Sequence, residues 1–421
     1  MVRRKKGSSS RVRRSTMSDR KTGVTVLDDL PEEVIVDKIL ILLPAKDVGR
    51  CRAVCKSWRS ATSTPEFMLE HHQRQPSLPI IDNGQAAGFV VLRETGTRKY
   101  GQQLWPFIGR MKHGKNRLRA AGDGLLIVSQ ESRVYICNPT IRKHALLPQP
   151  RLEPRSHRAS ETIRFCGLYR HHPTGEYRVL WISEYFYEPR FYEARLYVLT
   201  VGSNMSRHIR IRMPGMLPLS EEEQFLKRLF RFAYCPPVHH CDNLHWTGAS
   251  REIIVFDTVA ESFSLMPCPT QLGSRGRLLD INGTLGFGCR VTKQAMEVWV
   301  VQDYQAEIWA LKCRIDVSTV EASRDRTIIA KRKNKKKKSL DFTVKSFRDM
   351  AVLNERELLI RFNRNYVLRC DIDGKFLGIV NTERRQYHML LTRYCFQESI
   401  IPIPSGEIQE DGEPLFSTGH V

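Results

Sequence analysis

The sequence lacks an apolar run long enough to cross a bilayer. Its longest nearly apolar stretch extends from Val34 to Leu43, includes Asp37 and Lys38, and is followed by Pro44. A membrane-spanning helix needs about 20 apolar residues, so we expect no transmembrane segment and no membrane partner. The first 18 residues contain no acidic residue and no apolar core segment, and we therefore expect no secretory signal peptide.

The sequence also lacks the short motifs of common catalytic and metal sites. It contains no G-x-S-x-G elbow, no P-loop, no H-E-x-x-H and no C-x-x-C pair. The densest group of potential zinc ligands lacks a C-x-x-C pair, and its adjacent prolines suit a loop that enters a strand; its members are Cys235, His239, His240, Cys241 and His245. We therefore expect no catalytic residue, no metal and no cofactor, and interpret the 11 cysteines as free thiols in a reducing compartment.

Acidic residues are scarce relative to basic ones: 45 Asp and Glu against 67 Lys and Arg give a net charge of +22. Two tracts, near the N-terminus and at 331–338, carry +7 each and leave +8 for the rest of the chain. Such tracts are typical of nuclear-import signals, solvated loops or phosphate contacts. Aromatic residues are not interleaved with them, so base stacking is not favoured. The nuclear-import candidates, which predict a location in the nucleus, the cytoplasm or both, are Arg3, Arg4, Lys5, Lys6, Lys331, Arg332, Lys333, Lys335, Lys336, Lys337 and Lys338.

Hydrophobic residues make up 41% of the 421 residues, enough for a packed interior. At roughly 100–200 residues per domain, the length predicts more than one unit. We expect a disordered basic tail at 1–25, a helical domain at 26–72 and a β domain at 85–400. A flexible acidic tail is expected at 401–421.

The first predicted helix begins near Pro31 and ends near Leu43. Proline suits the first helical position because its missing N–H has no intrahelical partner there. Apolar side chains surround nearly the whole helix, whereas an amphipathic helix needs only one apolar stripe. The extra apolar surface must be covered, either by the rest of the chain or by another protein.

A second helix is predicted from Lys46 to Ala61, where apolar residues recur at intervals of three and four. Pro65 closes it, and residues 66–73 predict one more short helical segment.

Four segments of this region resemble the F-box family in order and spacing. They are Leu30–Val34 (LPEEV), Leu43–Val48 (LPAKDV), Arg52–Arg59 (RAVCKSWR) and Pro65–Phe67 (PEF). The resemblance implies a three-helix module that docks on the Skp-type adaptor of an SCF (Skp–cullin–F-box) ubiquitin ligase, and through it reaches a cullin and a RING protein. Some residues of the motif must instead form the core of the module. Carried over position by position, the implied adaptor-binding residues are Leu30, Pro31, Val34, Ile35, Ile39, Leu43, Pro44, Val48, Cys51, Val54, Cys55 and Trp58.

From about Gly84 the pattern turns to short β-type runs separated by turn residues, which predicts a sandwich, barrel or propeller. Only residues 220–231 show a helical pattern. The candidate strands are Gly88–Leu92, Leu125–Ser129, Val134–Cys137, Tyr177–Ile182, Arg195–Val201, Glu252–Phe256, Leu278–Ile281, Met296–Val301, Ile308–Cys313 and Tyr366–Asp371.

A weak internal repeat favours the propeller. Val134–Pro150 aligns without gaps to Ile253–Pro269, and Tyr366–Leu377 is a looser third copy. Repeated hairpins fit propeller blades, although a sandwich with two similar hairpins remains the alternative. We predict a multidomain chain, with a short all-α F-box of three helices followed by an all-β, propeller-like domain.

The β half is also similar to the plant F-box-associated domain, which implies a propeller-like substrate-recruiting domain and a plant source. The resemblance is carried, in chain order, by Asp123–Leu126, Cys137–Thr140, Leu147–Pro148, Gly167–Tyr169, Glu176–Val179, Leu244–Trp246, Phe256–Asp257, Met266–Pro267, Val298–Val300, Asp303–Tyr304 and Trp309.

The two resemblances together imply a non-catalytic, substrate-recognition subunit of an SCF ubiquitin ligase, with an unknown protein substrate. The alternative is a nuclear, nucleic-acid-associated β-propeller protein that uses its basic tracts and whose F-box-like helices are only structural. Nucleic acid is the less expected partner, because most of the excess charge lies in two tracts that cannot pack a core.

Overall fold

A computed structural model describes part of the 421-residue chain. The described residues are 30–82, 89–94, 102–108, 116–130, 133–148, 159–187, 191–211, 219–248, 251–269, 276–292, 295–316, 318–320, 322, 347–362, 366–380 and 390–404. Within these ranges no helix is long and apolar enough to span a membrane.

The predicted first helix is confirmed as one helical run of mixed type. Helix α1 (Glu32–Val34) continues as a π-helical turn at Ile35–Ile39 and a 3-10 turn at Leu40–Leu42. Pro31 is the N-cap residue, one position before the first helical position that the sequence predicts for it. The remaining helices are α2 (Ala45–Val54), α3 (Lys56–Ala61), α4 (Pro65–Arg74) and α5 (Leu219–Phe232).

The segment predicted as the second helix forms two helices, α2 and α3, because the helical backbone is interrupted at Cys55. This residue has an extended backbone, with φ −138° and ψ 136°, and it is the N-cap of α3. Its sulfur lies 2.9 Å from Ser57 Oγ. This contact joins two side chains, and no side-chain hydrogen bond caps the first turn of α3. The third helix, α4, begins with Pro65, and Thr64 Oγ1 accepts a hydrogen bond from the Phe67 N–H at 3.3 Å.

The described strands form six four-stranded antiparallel sheets, the blades of a propeller. Blade 1 contains β1 (Leu78–Asp82), β2 (Phe89–Glu94), β3 (Gln102–Ile108) and the last strand, β24 (Leu390–Phe396). Blades 2 and 3 contain β4 (Asn116–Gly122), β5 (Leu125–Gln130), β6 (Arg133–Asn138), β7 (Lys143–Leu146), β8 (Ala159–His171), β9 (Glu176–Tyr187), β10 (Phe191–Thr200) and β11 (Ser206–Ile209). Blades 4 to 6 contain β12 (Val238–His240), β13 (Asn243–Thr247), β14 (Glu252–Asp257), β15 (Ser262–Pro267), β16 (Arg277–Ile281), β17 (Thr284–Arg290), β18 (Ala295–Asp303), β19 (Ile308–Asp316), β20 (Phe347–Val352), β21 (Glu357–Phe362), β22 (Tyr366–Asp371) and β23 (Phe376–Val380).

The propeller prediction is confirmed, and the sandwich alternative is excluded. Each of the ten candidate strands overlaps a strand of the structure, Gly88 lies outside the described residues, and α5 covers the predicted helical pattern. Strand β1 precedes residue 85, where the β domain is predicted to start. Pro79 within β1 weakens the strand pattern there.

Strand β24 closes the ring. It pairs with β1, so that Leu391 faces Ile81 and Phe396 faces Leu78. The inner strand of each blade contacts the inner strand of a neighbour, as β24 does with β4 and β20. This pairing gives β1 a partner on its inner side, and the radial packing of the blades leaves only short, protected sheet edges.

The internal repeat corresponds to the hairpin between the third and fourth strands of a blade. Asn138, Asp257, Asp303 and Asp371 each end a third strand and accept hydrogen bonds from backbone N–H groups of the following turn at 2.7–3.1 Å. Short side-chain acceptors of this type mimic a backbone turn. The same turn therefore recurs in blades 2, 4, 5 and 6.

The two faces of the propeller differ in their loops. Because strands alternate in direction, turns between first and second strands and between third and fourth strands share one face. Helices α1–α4 enter β1 at this face, which we call the helical face. The strand ends that lead from one blade to the next lie at the opposite face, the long-loop face. The two longest separations along the chain are between β11 and β12 and between β19 and β20, and the described part of the first includes α5.

Candidate functional site

The predicted adaptor-binding residues divide by their exposure. Two of them, Ile35 and Val48, are buried and belong to the interior. Five are half-buried: Ile39, Leu43, Cys51, Cys55 and Trp58. Five are exposed: Leu30, Pro31, Val34, Pro44 and Val54.

The outer surface of the helical module carries large apolar side chains in contact with solvent. Val54 is 75% exposed, Leu42 is 64% exposed and Val34 is 39% exposed. Leu42 was not among the predicted residues, although the apolar character all round the first helix was a signal that pointed to it. Exposed apolar groups on so small a module indicate an interaction surface.

The inner surface of the module is covered by the propeller. Its buried residues share one hydrophobic cluster with blades 2 and 3. Sequence left open whether the chain or another protein covers the first helix. In the structure the propeller covers one side of it and leaves the other exposed. The buried members from the helices are Ile35, Val36, Leu40, Ile41, Ala45, Val48, Phe67 and Met68, and their partners include Leu125, Ile136, Leu147, Tyr177 and Trp181.

Residues 397–404, here called the strap, follow β24 and fasten the helices to the propeller. Gln397 Nε2 donates hydrogen bonds to the carbonyl oxygens of His72 at 2.8 Å and Gln75 at 2.7 Å. The Nδ1 atom of His72 lies 2.9 Å from the carbonyl oxygen of Glu398. Helix α4 is thus held through its last turn.

Asn138 holds the strap from the propeller side. Its Nδ2 donates to the carbonyl oxygens of Ser399 at 2.9 Å and Ile401 at 2.8 Å, while its Oδ1 accepts from the Thr140 N–H at 2.9 Å. Asn138 is fully buried, and Ile400 and Ile401 are buried beside it. The strap therefore continues past residue 400, where the β domain is predicted to end, and contributes Ile400 and Ile401 to the core.

Gly124 shows how closely the strap lies on blade 2. Its φ is +75°, a conformation that glycine adopts at little cost. A Cβ at this position would overlap the Cβ of Ser399 and lie 2.7 Å from the carbonyl oxygen of Gln397. The strap packs directly on the Asp123–Gly124 turn, so there is no room for a side chain at position 124.

A cavity of about 210 Å³ occupies the channel between the inner strands. Its lining at the helical face includes His72, Ser77 and Gln397, which lie in or next to the helical module and the strap. Ser77 Oγ donates to Asp280 Oδ2 at 2.8 Å, and the Tyr177 hydroxyl donates to a carboxylate oxygen of the neighbouring Asp123 at 3.0 Å. This end of the channel therefore contains acidic groups beneath the helical module.

The densest group of potential metal ligands is used for hydrogen bonds. The ring nitrogens of His245 lie 3.1 Å from the Val238 carbonyl oxygen and 2.8 Å from the Tyr304 hydroxyl. Burial lowers the pKa of His245 to about 4, so its ring is neutral at pH 7. Across the described ranges, no three His, Cys, Asp or Glu side chains are arranged to hold a metal ion.

Family models match both parts of the chain. One described as "F-box associated beta propeller domain" matches residues 110–330, more than half of the chain, and one described as "F-box-like" matches residues 27–74. The chain belongs to the plant F-box proteins with a C-terminal F-box-associated β-propeller domain.

Relatives of this F-box protein occur in Arabidopsis thaliana. F-box protein At5g49610 is 22% identical over 313 residues, which span 69% of this chain and 80% of that protein. Putative F-box protein At4g21240 is 24% identical over 306 residues, 68% of each chain. F-box protein At5g18160 is 30% identical over 128 residues, only 33% of its length. Among solved structures, YCF48 from Cyanidioschyzon merolae covers 72% of this chain and 84% of its own at 12% identity, and its TM-score of 0.32 is too low to bear on fold or function.

Cys55 is a distinctive group of the F-box. A hydrogen bond from the Ser57 side chain, and then the N–H groups of Trp58 and Ser57, lower the pKa of its thiol. A lowered pKa increases the fraction of a thiol present as thiolate, the form that reacts with alkylating reagents. Cys55 therefore provides a chemical probe within the predicted adaptor-binding set.

The nuclear-import candidates of this F-box protein lie outside the described residues. Both tracts, at the N-terminus and at 331–338, fall in ranges for which no structure is described.

Proposed function

We propose that this protein is the substrate-recognition subunit of an SCF ubiquitin ligase. Its F-box docks on a Skp-type adaptor, and its propeller binds a protein substrate. The observation that carries the proposal is the exposure of Leu42 and Val54 on a module whose other side is buried on the propeller. Family membership supports a role in SCF substrate recognition in general.

The chain itself performs no chemical step in this proposal. A cullin and a RING protein, recruited through the adaptor, bring the ubiquitin-conjugating enzyme to the bound substrate. The contribution of this chain is proximity, which raises the effective concentration of substrate lysines near the ubiquitin donor. The strap supports this role, because it fixes the F-box on the propeller that carries the substrate.

We place the substrate on the long-loop face. The helical face is partly covered by the F-box, and its turns in blades 2 to 6 are short. Long surface loops on a rigid scaffold are the usual place for recognition. At the opposite face, residues 219–237, which include α5, form part of a long connection between blades 3 and 4.

Val54→Asp and Leu42→Asp test adaptor docking. We expect each to weaken binding of a recombinant Skp-type adaptor at least tenfold, measured by titration calorimetry. Both side chains are exposed in the free chain, so the change leaves the fold intact but buries a charge in the interface.

Ile308→Asp is the matched control, because Ile308 is also apolar and 51% exposed, but lies on blade 5. Wild-type adaptor affinity in both F-box variants would contradict the proposal. Cys55 provides an independent measure, since adaptor binding should slow its alkylation. Leu43 and Trp58 are less suitable for substitution because they pack on the buried cluster.

We also propose a location in the nucleus and the cytoplasm, with the two basic tracts as import signals. The charge of these tracts, +7 each, supports this assignment. Replacing the basic residues of both tracts by Gln should lower the nuclear fraction of a fluorescent fusion. An unchanged nuclear fraction would contradict this assignment, and salt-sensitive DNA retention lost in the same variant would favour nucleic-acid association instead.

A further inference from the structure

The mouth of the channel at the long-loop face is lined by basic side chains. Arg277 is the first residue of β16, and Arg393 lies at the midpoint of β24. Both line the cavity, together with Cys235. Arg393 Nη1 donates to Cys235 Sγ, which places the residue before Pro236 against the inner strand of blade 1.

Arg164 lies next to this mouth with unused hydrogen-bond donors. Its guanidinium carbon is 3.9 Å from the ring centroid of Phe230 and 3.4 Å from that of Tyr234. Its Nε and Nη1 atoms are buried, and no hydrogen-bond partner exists for them in the described part of the chain. Stacking on aromatic rings orients the guanidinium but leaves its N–H groups in need of an acceptor.

Arg119 adds a further charge of the same sign. Burial lowers its pKa first, and the neighbouring charges of Arg117 and Arg164 lower it further. Its carbonyl oxygen accepts a hydrogen bond from the Tyr394 hydroxyl at 2.9 Å, which connects it to the residue after Arg393. Like charges in a half-buried site repel one another, and an anion would relieve that repulsion.

These four residues, Arg119, Arg164, Arg277 and Arg393, form what we call the arginine cluster. They lie on four inner strands, and none lies beyond the midpoint of its strand. Since inner strands begin at the long-loop face, Arg277 lies at that face, and the other three lie near the middle of their strands, within reach of a ligand that enters from it. Guanidinium groups bind carboxylate and phosphate through paired hydrogen bonds.

We propose that the arginine cluster binds an oxyanion, carboxylate or phosphate, carried by an acidic segment of the substrate protein. The inference rests on the proposed function. A channel of about 210 Å³ that ends beneath the F-box admits a single side chain. A nucleic acid strand needs instead a continuous groove with several stacking rings, so a peptide is the better fit. Tyr234, which is 75% exposed, offers a contact for the residues that flank the anion.

Three fluorescent decapeptides test the proposal on the full chain bound to the adaptor. All share a Gly-Ser background and carry three glutamates, three phosphoserines or three glutamines. At low salt we expect at least one of the two anionic peptides to bind at least tenfold more tightly than the glutamine peptide, and that binding should weaken as salt rises. The ratio of the two anionic affinities distinguishes phosphate from carboxylate.

Arg393→Gln and Arg164→Gln should each weaken the anionic binding at least fivefold. Arg393 is exposed, so its variant tests the cluster even if Arg164→Gln fails to fold. Arg356→Gln is the matched control, because Arg356 has a 76% exposed side chain in a turn at the helical face.

Three results would overturn the proposal: equal binding of all three peptides, equal losses in Arg356→Gln, or tighter binding of a single-stranded oligonucleotide that Arg393→Gln abolishes. Adaptor affinity measured on the same samples separates this failure from that of the proposed function. If the adaptor binds and no anionic peptide does, only the arginine-cluster proposal falls.

Discussion

Ending the chain after Phe396 will leave a folded propeller but release the F-box helices from it. The truncation removes the strap and therefore the bonds from Gln397 to the carbonyl oxygens of His72 and Gln75. It also removes Ile400 and Ile401, and losing a buried isoleucine costs about 2–5 kcal/mol. Short helices are marginal without tertiary packing, so the F-box loses its ordered state.

Hydrogen exchange will measure this release. We expect the amides of α2 and α4 to exchange at least a hundredfold faster in the truncated chain, while the inner strands stay protected and the propeller still melts cooperatively. New protease cleavage should occur between α4 and β1.

Two further truncations are the controls. A chain that ends after Pro404 keeps the strap and should behave as the full chain. A chain that ends after residue 389 also lacks β24, leaves β1 with an unpaired edge and removes the buried Leu391 and Phe396. That chain should not melt as a cooperative monomer. Unchanged exchange in α4 after truncation at Phe396 would show that the strap does not hold the helices.

Asn138→Leu will lower the free energy of unfolding by about 3–5 kcal/mol. Leucine has a similar shape but leaves the carbonyl oxygens of Ser399 and Ile401 and the N–H of Thr140 without their partner. Each unsatisfied buried polar group costs about 1–3 kcal/mol. Denaturant titration will measure the difference.

Asp257→Ala is the matched control, because Asp257 occupies the same repeat position in blade 4. Its hydrogen bonds reach only the exposed N–H groups of Val259 and Ala260. We expect it to cost about 1 kcal/mol, as for one ordinary hydrogen bond. Equal losses at the two positions would mean that Asn138 acts only in its own turn.

The parts of the fold that sequence predicts are those that depend on local pattern. Pro31 and Pro44 indicated the ends of the first helix, and short β-type runs separated by turn residues indicated the ten candidate strands. The break at Cys55 was not predictable, because the apolar spacing continues through it and only the extended backbone of Cys55 interrupts the helix. The strap was not predictable either, since its partners lie at sequence separations of 259 to 326 residues.

The candidate sites also divide into features that the local sequence indicates and features that only the folded structure reveals. Motif resemblance indicated the F-box surface, but burial was needed to separate Ile35 and Val48 from the exposed residues and to add Leu42. The arginine cluster has no sequence signature, because its members are scattered over four strands and meet only when the ring closes. The net charge indicated the two basic tracts, near the N-terminus and at 331–338, and not this cluster.

The strap also sets the order in which a working molecule can be made. His72 and Gln397 are 325 residues apart. At a synthesis rate of about 5–20 residues per second, the F-box leaves the ribosome roughly 15–65 s before the strap does. During that interval the F-box can pack on blades 2 and 3, which are made before the strap, but the hydrogen bonds that fasten it are still missing. A chain that terminates before the strap lacks those bonds, so a firm connection between the F-box and the propeller depends on complete translation.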